Sequence, residues 1–155
     1  MRHNPDIDGT DDYRLDQNVG YLLRRCYQES TAAFVRAAPP QLSAPRFAAL
    51  ARLAELGPLP QNRLGRLISA DAATIKGIVD RLRDLGAVET APDPDDRRQR
   101  LVTITETGRQ WYAEGVVASR ASASRILAAL SDGEARIMLE LLDKMASATL
   151  GSPDP

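Results

Sequence analysis

Residues 73–108 read ATIKGIVDRLRDLGAVETAPDPDDRRQRLVTITETG, and the fold is decided there. Ile75, Ile78, Val79, Leu82 and Leu85 share one helical face, and Gly86 suits the C-terminal cap. AVETA (87–91) and RLVTIT (100–105) read as two short strands, joined by PDPDDRRQ (92–99) as a hairpin with a long tip. A further helix opens at Thr105. The tip sets Arg97, Arg98 and Arg100 beside Asp93, Asp95 and Asp96. Taken alone, that is a solvated charged loop. Its surroundings decide whether it is more.

Upstream, Leu15, Val19, Leu22, Leu23, Cys26, Tyr27, Ala33 and Phe34 recur at helical spacing. They predict a helix of about five to six turns, stopped by APP at 38–40. Ser43 is placed to cap a second helix with Phe47, Leu50, Leu53 and Ala54 on its face, and LGPLP (56–60) breaks it. QNRLGRLIS (61–69) is a short third helix. A tight turn at Ser69–Asp71 leads into the fourth, with Asp71 or Ser69 as its cap. Downstream, a long helix from Thr105 to about Leu130 carries Trp111, Tyr112, Val116, Val117, Ile126 and Leu127, weakened slightly by Gly108 and Gly115. SDGE (131–134) is a capping box, and the last helix is expected to bury Ile137, Met138, Leu141, Leu142 and Met145. Residues 1–12 read as a flexible tail and 151–155 as a frayed end. Two short helices followed by a hairpin make a winged helix-turn-helix. The fold class expected from this order is mainly α with a small β-hairpin wing, with helices outside the module able to pair two subunits.

Composition narrows the function. A chain of 155 residues with 43% hydrophobic and 5% aromatic residues fits one domain with aliphatic helical packing. A net charge of −1 gives no bulk attraction for nucleic acid, so basic residues must be placed rather than abundant. One cysteine excludes an internal disulfide and fits a reducing compartment. The N-terminus has no apolar signal core and no run reaches membrane-spanning length, so a cytoplasmic protein without membrane partners is expected. His3 is the only histidine, so no Cys/His zinc site forms within a subunit. Neither a phosphate loop nor a nucleophile elbow is present. The expectation is a non-enzyme with no cofactor, metal or catalytic residue.

The segment 73–108 closely resembles the recognition helix and wing of the MarR (multiple antibiotic resistance regulator) family of bacterial transcription factors. The family's TVTRLVDRL-like helix, its turn into a strand, its D-P-x-D-R-R wing and its L-T-x-x-G helix start correspond to Thr74–Leu82, Gly86–Val88, Asp93–Arg98 and Ile104–Gly108. The resemblance implies a homodimeric, ligand-responsive regulator that binds a pseudo-palindromic double-stranded DNA operator and is released by a small aromatic or heteroaromatic acid, such as a benzoate, salicylate or hydroxynicotinate. It implies one domain over 13–150, with a DNA-reading lobe at 42–104 and a dimerisation region at 13–40 and 105–150. One departure is Gly77, where the family often has arginine.

These implications meet the residues as follows. Ala73, Thr74, Lys76, Gly77, Asp80 and Arg81 fall on the exposed face of the fourth helix. A solvated face is the plain alternative; in this helix order, contacts to base edges and phosphates are expected from all but Asp80. Asp80 is expected to pair with a nearby arginine. The resemblance points to Arg97 as the minor-groove residue, with Arg98 as helper or phosphate contact and Asp95 holding Arg97 in position. Asp93 reads as a turn former. A ligand cleft between the first two helices and the start of the fifth would draw on Tyr21, Arg24, Arg25, Tyr27, Arg46, Phe47, Trp111 and Tyr112, since guanidinium plus rings suits an aromatic carboxylate. The same residues fit equally a dimer core with solvated arginines. Peroxide-sensing relatives carry a cysteine where this chain has Gly20. Cys26 lies six residues later on the apolar face and is expected to be a buried small hydrophobe. Two alternatives are thiol-based redox sensing through Cys26 and a winged-helix protein-interaction module without DNA binding.

Overall fold

Helix starts are set by side chains that can cap them. A computed structural model of the chain describes residues 13–94, 96 and 98–150. The tail 1–12, Asp95, Arg97 and residues 151–155 lie outside the described residues, and with them the expectations of a flexible tail and a frayed end. Leu15–Gln17 form a 3₁₀ turn and α1 runs Val19–Ala37. The helix expected from Leu15 starts later because the Asn18 side chain accepts the Tyr21 amide at 2.9 Å and caps it there. α2 spans Ala44–Leu56, behind Ser43 at the cap position, where its side chain makes no capping bond. Gly57, at φ 79°, ends α2 in a conformation that favours glycine.

The chain then continues through β1 (Leu59–Pro60), α3 (Gln61–Leu67), α4 (Ala72–Asp84), β2 (Val88–Pro92) and β3 (Arg100–Ile104). The sheet corrects the expectation of a two-stranded hairpin. It has three antiparallel strands in the order β1-β3-β2, with Leu59 opposite Val102 and Thr90 opposite Val102 from the other side. LGPLP thus ends a helix and also supplies an edge strand, where Pro60 is tolerated. Leu50, Leu53, Leu64, Ile75, Val79 and Leu82 are almost wholly buried and join α2, α3 and α4 to the sheet in one core.

α5 (Glu106–Leu127) follows β3 with a single residue between them. That residue, Thr105, accepts the Gly108 amide at 3.1 Å, donates its hydroxyl to the Gly86 carbonyl at 2.7 Å, and sends its own amide to the Ala87 carbonyl at 3.1 Å. Gly108 and Gly115 do more than weaken the helix. A Cβ at Gly108 would overlap the Ala87 carbonyl oxygen, and one at Gly115 would overlap the Phe47 ring. Both glycines, with Ala118 and Ser122, form the buried face of α5.

α6 (Asp132–Leu150) begins at the expected capping box. Ser131 Oγ accepts the Glu134 amide at 3.4 Å, and Glu134 accepts the Ser131 amide at 2.8 Å and its hydroxyl at 2.7 Å. The Glu134 carboxyl is held below its usual range by these bonds from Ser131. The burial expected for α6 is not met within one chain. Ile137, Leu141, Leu142 and Met145 are exposed, and among the described residues α6 makes no extensive contact with another element. Leu22, Leu23 and Cys26 on α1 are exposed likewise. Cys26 is therefore not a buried small hydrophobe here, because among the described residues no element of its own chain covers that face. Among the described residues, no helix is long and apolar enough to cross a membrane.

Glycine substitutions separate close packing from open surface. Gly108→Ala should destabilise by about 1–3 kcal/mol through overpacking. Gly77→Ala, with nothing within 4 Å of its Cβ, should stabilise by about 1 kcal/mol through helix propensity. Urea midpoints at fixed protein concentration measure both. Equal midpoints for the two variants would contradict the packing described for α5.

Candidate nucleic-acid interface and small-molecule pocket

The outward face of α4 is fixed by what its other face buries. Ile75, Val79 and Leu82 sit in the core, so Ala73, Thr74, Lys76, Gly77 and Arg81 stand exposed. The entry to α4 is tightly built. Gly65 of α3 lets the Ala70 backbone approach, and a Cβ there would lie 3.1 Å from the Ala70 carbonyl oxygen. Ser69 takes a left-handed φ of 55° in the turn. Asp71 then caps α4, accepting the Thr74 amide at 2.7 Å, while Ser69 does not. Hydrogen bonds from the Thr74 amide and hydroxyl hold the Asp71 carboxyl below its ordinary range. Asp80 is paired, as its position suggested, to Arg83 at 3.0 Å and also to Lys76 at 2.6 Å. The Lys76 hydrogen bond is the main cause of its lowered pKa.

The hairpin tip is organised by two aspartates. The Asp93 amide donates to the Gln99 carbonyl at 3.0 Å, closing the turn. Asp93 is also 8% exposed, a burial its role as a turn former did not predict. Asp96 accepts the Arg98 amide at 3.0 Å, Arg98 Nε at 3.2 Å and Gln99 Nε2 at 3.1 Å, with Gln99 contributing most to its lowered pKa. The Arg98 side chain remains 93% exposed. Arg100 is turned back along the strand pair, donating to Thr90 Oγ1 at 2.7 Å. Asp95 and Arg97, on which the wing reading centres, lie outside the described residues.

A cavity of about 220 Å³ opens where α1, α2 and α5 meet, walled by Tyr27, Phe34 and Phe47 and edged by Ser30, Ser119 and Ser122. Ser122 Oγ donates to the Ser30 carbonyl at 2.9 Å, and the two hydroxyls lie 3.3 Å apart. Of the residues expected around a cleft, Tyr27 and Phe47 line this one. The others stand elsewhere. Arg24 and Arg25 lie over the Tyr21 ring at 5.4 and 5.8 Å on α1. Arg46 donates to the Gln41 carbonyl at 2.7 Å. Trp111 and Tyr112 pack on the core, with Tyr112 stacked on Phe47 at 6.2 Å between centroids. On α5 the cavity is lined by Ser119, Ser122 and Ala123 in the second half of the helix, not by its start, where Trp111 and Tyr112 pack on the core. The serines were missed; their signal is small polar residues at helical spacing on otherwise packed faces. Among the described residues, no group of three or more His, Cys, Asp or Glu is placed to hold a metal.

Known proteins share this architecture. The MarR family model matches residues 42–99, from just ahead of α2 to the wing. NicR, an HTH-type transcriptional repressor of Pseudomonas putida, is 38% identical over 134 residues, covering 86% of this chain and 85% of its own. The chain belongs to the MarR family. A probable transcriptional regulator from Pseudomonas aeruginosa, 42% identical, superposes with a TM-score of 0.80 over 85% of this chain and 99% of its own. BpsR of Bordetella bronchiseptica, whose DNA binding is regulated by 6-hydroxynicotinic acid, is 32% identical, with a TM-score of 0.76 over 83% of this chain and 98% of its own. As a MarR-family protein, the chain is a transcriptional regulator with a DNA-binding winged helix-turn-helix.

The cap of α4 gives a pH signature. A carboxyl whose folded pKa is depressed stabilises the fold above its unfolded pKa, and that contribution is lost as pH falls through the folded value. The Thr74 amide resonance should therefore titrate below the ordinary aspartate range in the wild type. In Asp71→Asn, which still caps without ionising, it should stay flat. Identical titrations would remove Asp71 from the cap.

Proposed function

We propose that the chain is a dimeric repressor that binds a pseudo-palindromic operator and is released by a small aromatic or heteroaromatic acid. The observation that carries the reading is the pairing of an outward α4 face with apolar helix faces that one chain leaves uncovered. Leu22 and Leu23 on α1 and Ile137, Leu139, Leu141 and Met145 on α6 are exposed. Fully burying such a side chain stabilises by roughly 1.5–3 kcal/mol, so a second copy has a large driving force to cover them. Residues 13–40 and 105–150 would then hold the dimer, and 42–104 would read DNA. Light scattering at micromolar concentration should give twice the 16.9 kDa chain mass. A monomer would sink both the dimer and the release mechanism.

On DNA, Ala73, Thr74, Lys76 and Gly77 would meet base edges in the major groove, and Arg81 the phosphates beside it. Arg97 would enter the minor groove, oriented by Asp95, with Arg98 on the backbone. The effector would sit in the cavity between α1, α2 and α5. A cavity of about 150 Å³ accommodates benzene, so about 220 Å³ suits one substituted ring. Tyr27 and Phe47 would stack on it, backed by Trp111 and Tyr112, and serine hydroxyls would meet a ring oxygen or nitrogen. The acid group needs a cation. Arg24 and Arg25, beside Tyr21 on α1, and Arg46, next to Phe47, are the candidates. The relatives support an aromatic-acid effector and a repressor role, since the DNA binding of BpsR is regulated by 6-hydroxynicotinic acid and NicR is a repressor.

Fluorescence anisotropy on the DNA upstream of the gene, at fixed salt, tests the proposal. The wild type should bind, and 6-hydroxynicotinate or salicylate should release it. Arg97→Ala should weaken binding by about 1–3 kcal/mol. Asp95→Ala should weaken it less and non-additively with Arg97→Ala, whereas Lys76→Ala should add independently. Unchanged affinity in Arg97→Ala would return the hairpin tip to a solvated loop.

A further inference from the structure

Asp80 is the feature of α4 that a DNA-reading role leaves unexplained. The residues opposite the buried Ile75, Val79 and Leu82 place Ala73, Gly77, Asp80 and Asp84 along the middle of the outward face. A carboxylate there faces the most negative surroundings the protein meets. Its neighbours are the reason it can stay. Lys76 Nζ lies 2.6 Å from one oxygen and Arg83 Nη1 3.0 Å from the other, so Asp80 occupies two of the cations that this helix could offer to phosphates. Arg83 is additionally within 3.5 Å of Asp84. The pairs are half-exposed and so contribute little to folding. Their effect falls on DNA instead.

We infer that Asp80 is a specificity-determining residue of α4, which withholds Lys76 and Arg83 from the DNA backbone and so keeps attraction to unrelated duplexes weak. Binding to any sequence rises with the number of phosphates neutralised, whereas base contacts act only on the right sequence. Lowering the phosphate share therefore widens the gap between correct and incorrect sites. The whole chain follows the same rule, with 20 basic residues against 21 acidic ones. The inference rests on the DNA-reading role proposed above.

The test uses two duplexes, one selected by the wild-type protein from a random pool and one of scrambled sequence. Binding is measured by anisotropy across a salt series. Asp80→Asn should tighten binding to the scrambled duplex by about tenfold near 0.1 M salt. It should also steepen the slope of log K against log salt by roughly one to two, as expected for one or two added phosphate contacts. Discrimination between the duplexes should fall. Adding Lys76→Gln and Arg83→Gln to Asp80→Asn should return the slope to its wild-type value. An unchanged slope in Asp80→Asn would overturn the inference and leave Asp80 a structural ion-pair partner. Weaker binding confined to the selected duplex would overturn it in favour of direct base reading by the carboxylate. Failure of the wild type to enrich any sequence would instead overturn the DNA-reading role, and the inference with it.

Discussion

The absence of side chains along one face of α5 holds the two halves of the molecule together. Gly108 lets the helix start against the Ala87 carbonyl, and Gly115 lets the Phe47 ring lie flat on its backbone. Ala118 and Ser122 continue that face toward α1, where Ser122 ties to Ser30 by a hydrogen bond. One helix thereby touches the sheet, α2 and α1 in succession. A methyl group at Gly108 would collide with the Ala87 backbone, and one at Gly115 with the Phe47 ring. The cavity exists because Ser119 and Ser122 are small where a larger residue would have filled it.

The recognition unit was legible because its signals are local. Ile75, Val79 and Leu82 mark a helix face by spacing alone, Asp71 sits one residue ahead of α4, and the hairpin is bounded by prolines and aspartates. Asp80 could be paired from its separation from Arg83. What stayed hidden is non-local. Periodicity marks an apolar face on α6, but it does not say what covers it, and the described residues of the chain do not. Gly108 and Gly115 read as weak points because helix propensity ignores the approaching partner. β1 was hidden inside a helix breaker, since two residues carry no alternation to detect. The arginines of α1 and α2 could not be oriented from sequence, because Arg46 finds a backbone carbonyl and Arg24 and Arg25 find a ring.

The charge distribution follows a related logic. With acids slightly outnumbering bases, cations of the hairpin are held by nearby oxygens. Arg98 is held by Asp96 and Arg100 by Thr90. Such restraint limits the rotamers a long side chain samples before it meets a ligand, which lowers the entropy lost on contact. Sparse cations can thus serve where a basic protein would rely on number.

Thr105 gives the molecule a mechanical property. Three hydrogen bonds clamp it between the end of α4 and the first turn of α5, leaving no loop to absorb motion. Any tilt transmitted from the start of α5 would therefore reach β3 with Thr105 as its pivot. A five-residue strand is about 17 Å long, so a tilt of about 10° at the pivot carries its far end by about 3 Å. That distance is close to the spacing of successive base pairs along a duplex. A small tilt among the helices, if carried through Thr105, would thus be read at the far end of β3 as a shift of one base-pair step.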